Sequence, residues 1–343
     1  MHIVIVQALL PKYSIDFFNS IARTGVSLTV ISDLKSKHSL NQHSDMKCDF
    51  NMVHVAEKTF LGISIRPGLF KELSKLSFDQ LILSGNPRDL SQMLVLFWYF
   101  MRRRPAYVWG MFHRIGGNRI ISELYYRYAG FFSKGCLTYT NRGMNNQVMR
   151  GVNYNKIFQI GTAIYESKII AERKLRTPKE VNDFKIENDL IGKFVVLQVV
   201  RLSAIKSPQI LIEAASIAIK DNPNLVFVLI GGGDLENSLK ELVLDLGLND
   251  NFKFIGPLYD EEILSLWFLS SNVFVVPTCI GLSAHHAMCY GLPIVTDDNY
   301  INQASEYEIL THGLNSLLYR SYSAEDLSRV ILLLVNDPAY AEF

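Results

Sequence analysis

Apolar runs rich in β-branched residues alternate along the chain with longer stretches of helical period. In the first half the apolar runs predict strands over His2–Gln7, Leu28–Ser32, Gln80–Ser84, Ala106–Gly110, Gly135–Tyr139 and Lys156–Gly161, with helical stretches such as Ser14–Arg23 and Ile120–Phe132 between them. The second half repeats the rhythm. Its strands are expected over Phe194–Val200, Leu225–Ile230, Phe252–Ile255, Val273–Val276, Pro293–Thr296 and Ser316–Leu318, and its helices over Pro208–Lys220, Leu235–Leu246 and Ala284–Tyr290. Continuously apolar strands alternating with helices belong in parallel sheets covered on both faces, so the expected class is α/β. At 343 residues the chain exceeds what one core serves, and two doubly wound, Rossmann-like domains follow. The charged stretch after Glu166 has no apolar strand and reads as a connection. The expected division is 1–168 as the first domain, 169–192 as a linker and 193–343 as the second. Two such sheets facing one cleft would turn the carboxyl ends of their strands toward a ligand.

Composition narrows the picture. With 49% hydrophobic and 20% charged residues, a disordered chain is excluded. Cys48, Cys136, Cys279 and Cys289 lie far apart with no Cys-x-x-Cys pair, which argues against a disulfide framework or a zinc site and fits a cytoplasmic chain. The opening MHIVIVQALLPKY lacks a basic leader and a small-residue cleavage site, and reads as a first strand. Net charge is +1, yet residues 1–168 carry 21 Lys and Arg against 10 Asp and Glu, while the remainder carries 13 against 23. The first half is therefore expected to meet something anionic, such as a membrane surface on the inner face of the plasma membrane, unless this is ordinary solvated charge. Nucleic acid is not expected, because no aromatic–basic interleaving accompanies the charge. In Met93–Arg104 an apolar run leads into three arginines, and it is too short to span a bilayer. It is either a buried crossover helix with cations at its end, or an apolar patch lying in a membrane interface.

Candidate chemistry concentrates in the second half. Arg201 and Lys206 follow the strand FVVLQVV and could neutralise a diphosphate at the sheet's carboxyl edge. A second strand ends in Gly231-Gly232-Gly233, which would let backbone approach a ligand or would simply make a tight turn; it is not a G-x-G-x-x-G fingerprint, since Asp234 follows directly. A third strand ends at Pro277, with Gly281, Leu282 and Ser283 ahead of a short helix. Its first amides would bind phosphate oxygens, with Ser283 as N-cap. His286 sits on that helix, facing its mouth or packing beneath it.

From Phe194 to Tyr319 the order of these motifs resembles glycosyltransferase family four, a retaining group with the GT-B fold. The resemblance implies that Arg201 and Lys206 hold the donor diphosphate, that Gly231 and Gly232 lie near the nucleotide, and that Gly281, Leu282 and Ser283 form the phosphate loop. Ala287-Met288, Gly291 and Pro293 match the family's helix and next strand. Two glutamates that such enzymes carry with seven residues between them fall here on Thr278 and His286, which could still meet a sugar hydroxyl and a ribose diol but supply no carboxylate. More loosely, the resemblance implies a catalytic His113 with Arg114 near the reacting sugar, Tyr139 and Asn141 nearby, and Glu306 at the place of a family acid. It also implies a nucleotide-sugar donor, UDP-linked before GDP-linked, a glycan or lipid-linked acceptor in surface polysaccharide biosynthesis, and no metal or other cofactor. A sugar-nucleotide epimerase of the same architecture would need the missing carboxylates. A non-catalytic binder of nucleotide sugars would not.

Overall fold

A computed structural model describes residues 1–10, 12–34, 47–117, 119–162 and 164–337. The chain divides into two units, Met1–Tyr165 and Glu166–Phe343. The first holds β1 (His2–Val6), β2 (Ser27–Ser32), β3 (Asn51–His54), β4 (Lys58–Phe60), β5 (Ile63–Ile65), β6 (Gln80–Ser84), β7 (Ala106–Gly110), β8 (Gly135–Thr138) and β9 (Ile157–Gln159). Its helices are α1 (Lys12–Arg23), α2 (Leu69–Lys75), α3 (Leu90–Met101), α4 (Ile120–Phe132) and α5 (Asn141–Met149). Seven strands make one parallel sheet in the order β3-β2-β1-β6-β7-β8-β9. Val4, Val6, Leu81, Leu83 and Val108 pack with Val95, Leu96, Tyr125 and Ala129 from α3 and α4 on one side of it. Ile5, Leu28 and Val30 pack with Ile15 and Phe18 of α1 in a separate core.

The second unit holds β10 (Phe194–Val199), β11 (Leu225–Ile230), β12 (Phe252–Gly256), β13 (Val273–Val275), β14 (Ile294–Asp297) and β15 (Ser316–Tyr319). Around them lie α6 (Glu166–Leu175), α7 (Pro178–Glu187), α8 (Gln209–Asp221), α9 (Glu236–Asp245), α10 (Glu261–Leu269), α11 (Ser283–Cys289) and α12 (Ala324–Asn336). The parallel order β12-β11-β10-β13-β14-β15 is a doubly wound sheet whose direction of winding reverses between β10 and β13. All six residues of β11 are buried, as a strand covered on both faces requires.

The expected linker is a correction. Residues 166–175 and 178–187 are helical, and α6 packs on α10 and α11 while α7 packs on α10. Phe184 meets Trp267 edge to face at 4.8 Å. Thr177 and Glu180 form a capping box around Pro178, so a helix-start signal stood inside a stretch read only for its missing strand. The hairpin of β4 and β5 was also not anticipated, because three-residue strands carry too little pattern. Leu61 and Gly62, both at positive φ, turn it. Arg66, buried, anchors its base through Asp89 at 2.7 Å and through Glu57.

Candidate functional site

Ligands of doubly wound sheets bind beyond the strand ends where the winding reverses. In the second unit that point lies between β10 and β13, and the two loops leaving it carry most of the expected donor-binding residues. Arg201 leaves β10 with its side chain exposed. A short 3-10 turn, Ala204–Lys206, then swings Lys206 toward the other loop, where its Nζ donates to the Cys279 carbonyl. A Cβ built on Gly281 would sit 3.5 Å from that same Nζ. Residues 73 positions apart are thus brought side by side.

The β13 loop is held by groups that sequence reasoning missed. Tyr319 Oη donates to the Pro277 carbonyl at 2.8 Å, and the Ile280 amide donates to Gln303 Oε1 at 2.8 Å. Gln303 Nε2 in turn donates to Thr296 Oγ1 at 3.2 Å and to the Asp297 carbonyl and carboxylate. Buried glutamine is the strut between this loop and the end of β14. No local pattern marks it, since QAS reads as a solvated turn. Asp297 ends β14 and is buried; burial pushes its pKa up against the opposing help of Ser321, Thr278 and Gln303. Cys279 takes a left-handed conformation at φ 53, which the surrounding bonds enforce.

Several expectations are corrected here. Ser283 is not the N-cap: α11 begins at Ser283, Leu282 occupies the cap position, and no side chain caps the helix. The Ala284 amide turns back to the Gly281 carbonyl at 2.9 Å, while the amides of Leu282 and Ser283 stand at the start of the helix, where intrahelical partners are lacking. Gly231, Gly232 and Gly233 stand where the chain itself comes close. A Cβ on Gly231 would lie 1.9 Å from the Val200 carbonyl, one on Gly232 2.9 Å from Pro257 Cγ, and one on Gly233 2.1 Å from the Leu202 carbonyl. These contacts account for glycine at all three positions, and the turn they make holds the exit of β10 in place. Gly281 differs, because its backbone is ordinary and a Cβ there meets only the Lys206 ammonium. Thr278 is buried near the Asp297 carboxylate, outside close hydrogen-bond geometry.

His286 packs beneath the mouth. Its Nε2 lies 2.7 Å from Glu261 Oε1, and its ring stacks on Phe268 at 4.7 Å, with Tyr290 also reaching Glu261 at 3.2 Å. Loss of that stack and bond gives a first prediction. His286→Ala should lower unfolding free energy by about 1–2 kcal/mol, read from urea melts, while leaving stabilisation by UDP intact. Loss of the UDP effect at unchanged stability would instead return His286 to the ribose. Glu306 is buried in a 3-10 turn, Ser305–Ile309. The Cys279 thiol, pushed up by burial, feels both Lys206 and Glu306, which places these charges around one loop.

His113 belongs to the first unit. It is buried in the loop after β7, where its Nδ1 donates to the Met111 carbonyl at 2.9 Å and its own carbonyl accepts from Tyr126 Oη at 3.1 Å. Arg114 follows it, half-buried; Tyr139 stands edge-on to Trp109 at 6.2 Å, and Asn141 opens α5. A hollow of about 430 Å³ in the second unit is lined by Arg173, Arg176 and Lys185 among others. Arg176 is paired with Glu172 and Glu262 at 2.9 Å each, and Arg173 donates to the Cys289 carbonyl at 2.8 Å.

Two Rossmann-like units of parallel strands, with a basic loop pair at a switch point, define the GT-B class of glycosyltransferase folds. Residues 181–342, nearly all of the second unit, match the family model described as glycosyl transferases group 1. Among curated relatives, D-inositol 3-phosphate glycosyltransferase of Pseudarthrobacter chlorophenolicus is 30% identical over 156 residues, covering 43% of this chain and 36% of the relative. The amylovoran biosynthesis glycosyltransferase AmsK of Erwinia amylovora is 27% identical over 176 residues, covering 49% and 42%. The chain thus spans well under half the length of these relatives. Among solved structures, Anabaena Alr3699/HepE in complex with UDP superposes with a TM-score of 0.75 at 18% identity, over 99% of this chain and 92% of that one.

Proposed function

We propose that this chain transfers a sugar from a nucleoside-diphosphate donor to a glycan or lipid-linked saccharide, with retention of anomeric configuration, in surface polysaccharide assembly. The observation that carries this reading is the convergence at the β10/β13 switch point, where the Lys206 ammonium lies on the Cys279–Gly281 loop ahead of the first amides of α11. A diphosphate seated over Gly281 would meet that ammonium, the Arg201 guanidinium and the helix start together. As the bond from the anomeric carbon to the phosphate oxygen breaks, these groups stabilise the charge gathering on the leaving oxygen. The acceptor oxygen bonds to the same carbon from the same face, and its proton passes to that phosphate oxygen. His113 is the first-unit residue that this reading assigns to the reacting sugar. UDP is favoured as the nucleotide because Anabaena HepE is a structural neighbour solved with it.

One observation favours a second reading, a nucleotide-sugar binder without activity. Thr278 is buried near Asp297 and His286 is held by Glu261, so neither position presents a carboxylate. Both readings predict that UDP or a UDP-sugar at a hundred times its dissociation constant adds about 2.7 kcal/mol of stability. Release of nucleoside diphosphate in the presence of acceptor separates them. Stabilisation without turnover for any UDP- or GDP-sugar leaves the second reading, and no stabilisation at all removes both.

A further inference from the structure

Helix α3 is apolar on both faces. Its inner side, with Val95, Leu96 and Tyr99, is buried in the first unit's core. Its outer side repeats the pattern at helical spacing with Leu90, Leu94, Phe97, Phe100 and Met101, whose exposure runs from 41% at Leu90 to 64% at Met101. A helix that is hydrophobic all round belongs in a core or a membrane, yet this outer face meets no other part of the described chain that buries it. Neighbouring α4 continues the surface. Ile120, Ile121, Leu124 and Phe131 lie outward, with exposures from 63% at Leu124 to 79% at Ile120. Phe97 and Phe100 contact Phe132 of α4 at ring distances of 5.4 and 5.0 Å, and Phe100 contacts Phe131 at 5.9 Å, so the two helices present one aromatic ridge. The β4–β5 hairpin, whose β5 packs on α3, adds Phe60 and Leu61 at its exposed tip.

The charge around this ridge has one sign. Arg102, Arg103 and Arg104 are exposed directly after α3, Arg119 precedes α4, and Arg127 and Lys134 are exposed along and after it. Arg102 lies over the Trp98 ring at 4.3 Å, which holds its cation beside the apolar surface. Helix α3 has no acidic residue, and Glu123 of α4 is paired twice with Arg150 at 2.7 and 2.8 Å. No helix among the described residues is long and apolar enough to cross a membrane.

We propose that the outer face of α3 and α4 docks on an anionic phospholipid bilayer, with Phe97, Phe100 and Phe131 entering the interface and the arginines meeting lipid phosphates. Apolar rings framed by arginines suit a layer with a hydrocarbon interior and a negatively charged surface. A second copy of this chain would bring the same cations against each other. The inference stands apart from sugar transfer, since it concerns only the first unit and needs no donor.

Flotation of the full chain with vesicles tests it, comparing phosphatidylglycerol mixed into phosphatidylcholine against phosphatidylcholine alone, without nucleotide. The chain should float only with the anionic vesicles. A variant with Arg102→Ser, Arg103→Ser and Arg104→Ser should lose affinity on the order of a hundredfold. A variant with Phe97→Ser, Phe100→Ser and Phe131→Ser should lose tenfold or more, roughly what removing one buried ring contributes. Both sets lie in the first unit on the outer face of its helices, so any UDP stabilisation should match the parent, and a cooperative melt of each variant shows that the fold is kept, which separates failure here from failure of the transferase reading. Three results would overturn the proposal: no flotation with either vesicle, flotation that survives loss of the rings, or concentration-dependent dimerisation through these residues without vesicle binding.

Discussion

Lys206→Met should raise the dissociation constant for UDP by roughly 10- to 100-fold, the loss expected for one charge-assisted hydrogen bond. Methionine keeps most of the aliphatic stem, so the change removes the charge with little change of volume. In the structure that charge lies against the Cys279 carbonyl and beside Gly281, where the two switch-point loops meet. Part of its role is to hold the loop, and stability must therefore be measured without ligand as well. The bond to a partly buried carbonyl should contribute about 0.5–1.5 kcal/mol, less than the effect on UDP. Arg201→Ala should act in the same direction with a smaller stability cost, because Arg201 is exposed. Isothermal titration with UDP reads both. Parental affinity in both variants would remove the diphosphate site from this part of the fold.

Gly231→Ala should be the most disruptive single methyl in the second unit, lowering stability by about 3–5 kcal/mol. Two costs combine. The residue sits at φ 135, a region closed to alanine, and the new Cβ would lie 1.9 Å from the Val200 carbonyl. That carbonyl is backbone at the end of a fully paired strand and has nowhere to move. A domain stable by 5–15 kcal/mol loses a large fraction of its margin to such a change. Gly281→Ala is the informative contrast, since its Cβ would meet only the flexible Lys206 tip at 3.5 Å. Its stability should stay within about 0.5 kcal/mol of the parent, while UDP binding weakens because the methyl occupies the space proposed for the phosphate. Urea midpoints together with UDP titrations of the two variants decide the matter. Equal destabilisation by both would mean that the loops are packed differently.

Much of the fold was legible before any coordinates. Gln80–Ser84, Ala106–Gly110, Ile120–Phe132 and Leu225–Ile230 were bounded to the residue, because buried parallel strands and their crossover helices write their burial as unbroken apolar runs or clean helical periods. The helix over 178–187 carries its own start signal in Thr177, Pro178 and Glu180, set within a charged stretch that has no apolar strand. Short elements at the edge, such as β3 and the β4–β5 hairpin, wrote nothing strong enough to read.

What the chain's letters determined by themselves was the alternation of strand and helix, the α/β class, the uneven charge of the two halves, and the presence of Arg201, Lys206 and the Gly281–Ser283 loop after two particular strands. Each of these is a local or periodic property. What only the tertiary structure decided was direction and company: that Lys206 reaches Cys279, that Gln303 braces the loop, that His286 turns to Glu261, and that Gly231 and Gly233 face the chain's own backbone. Those facts depend on contacts between segments far apart in the chain, and the pattern along the sequence carries no record of which way a side chain points when the sheet closes.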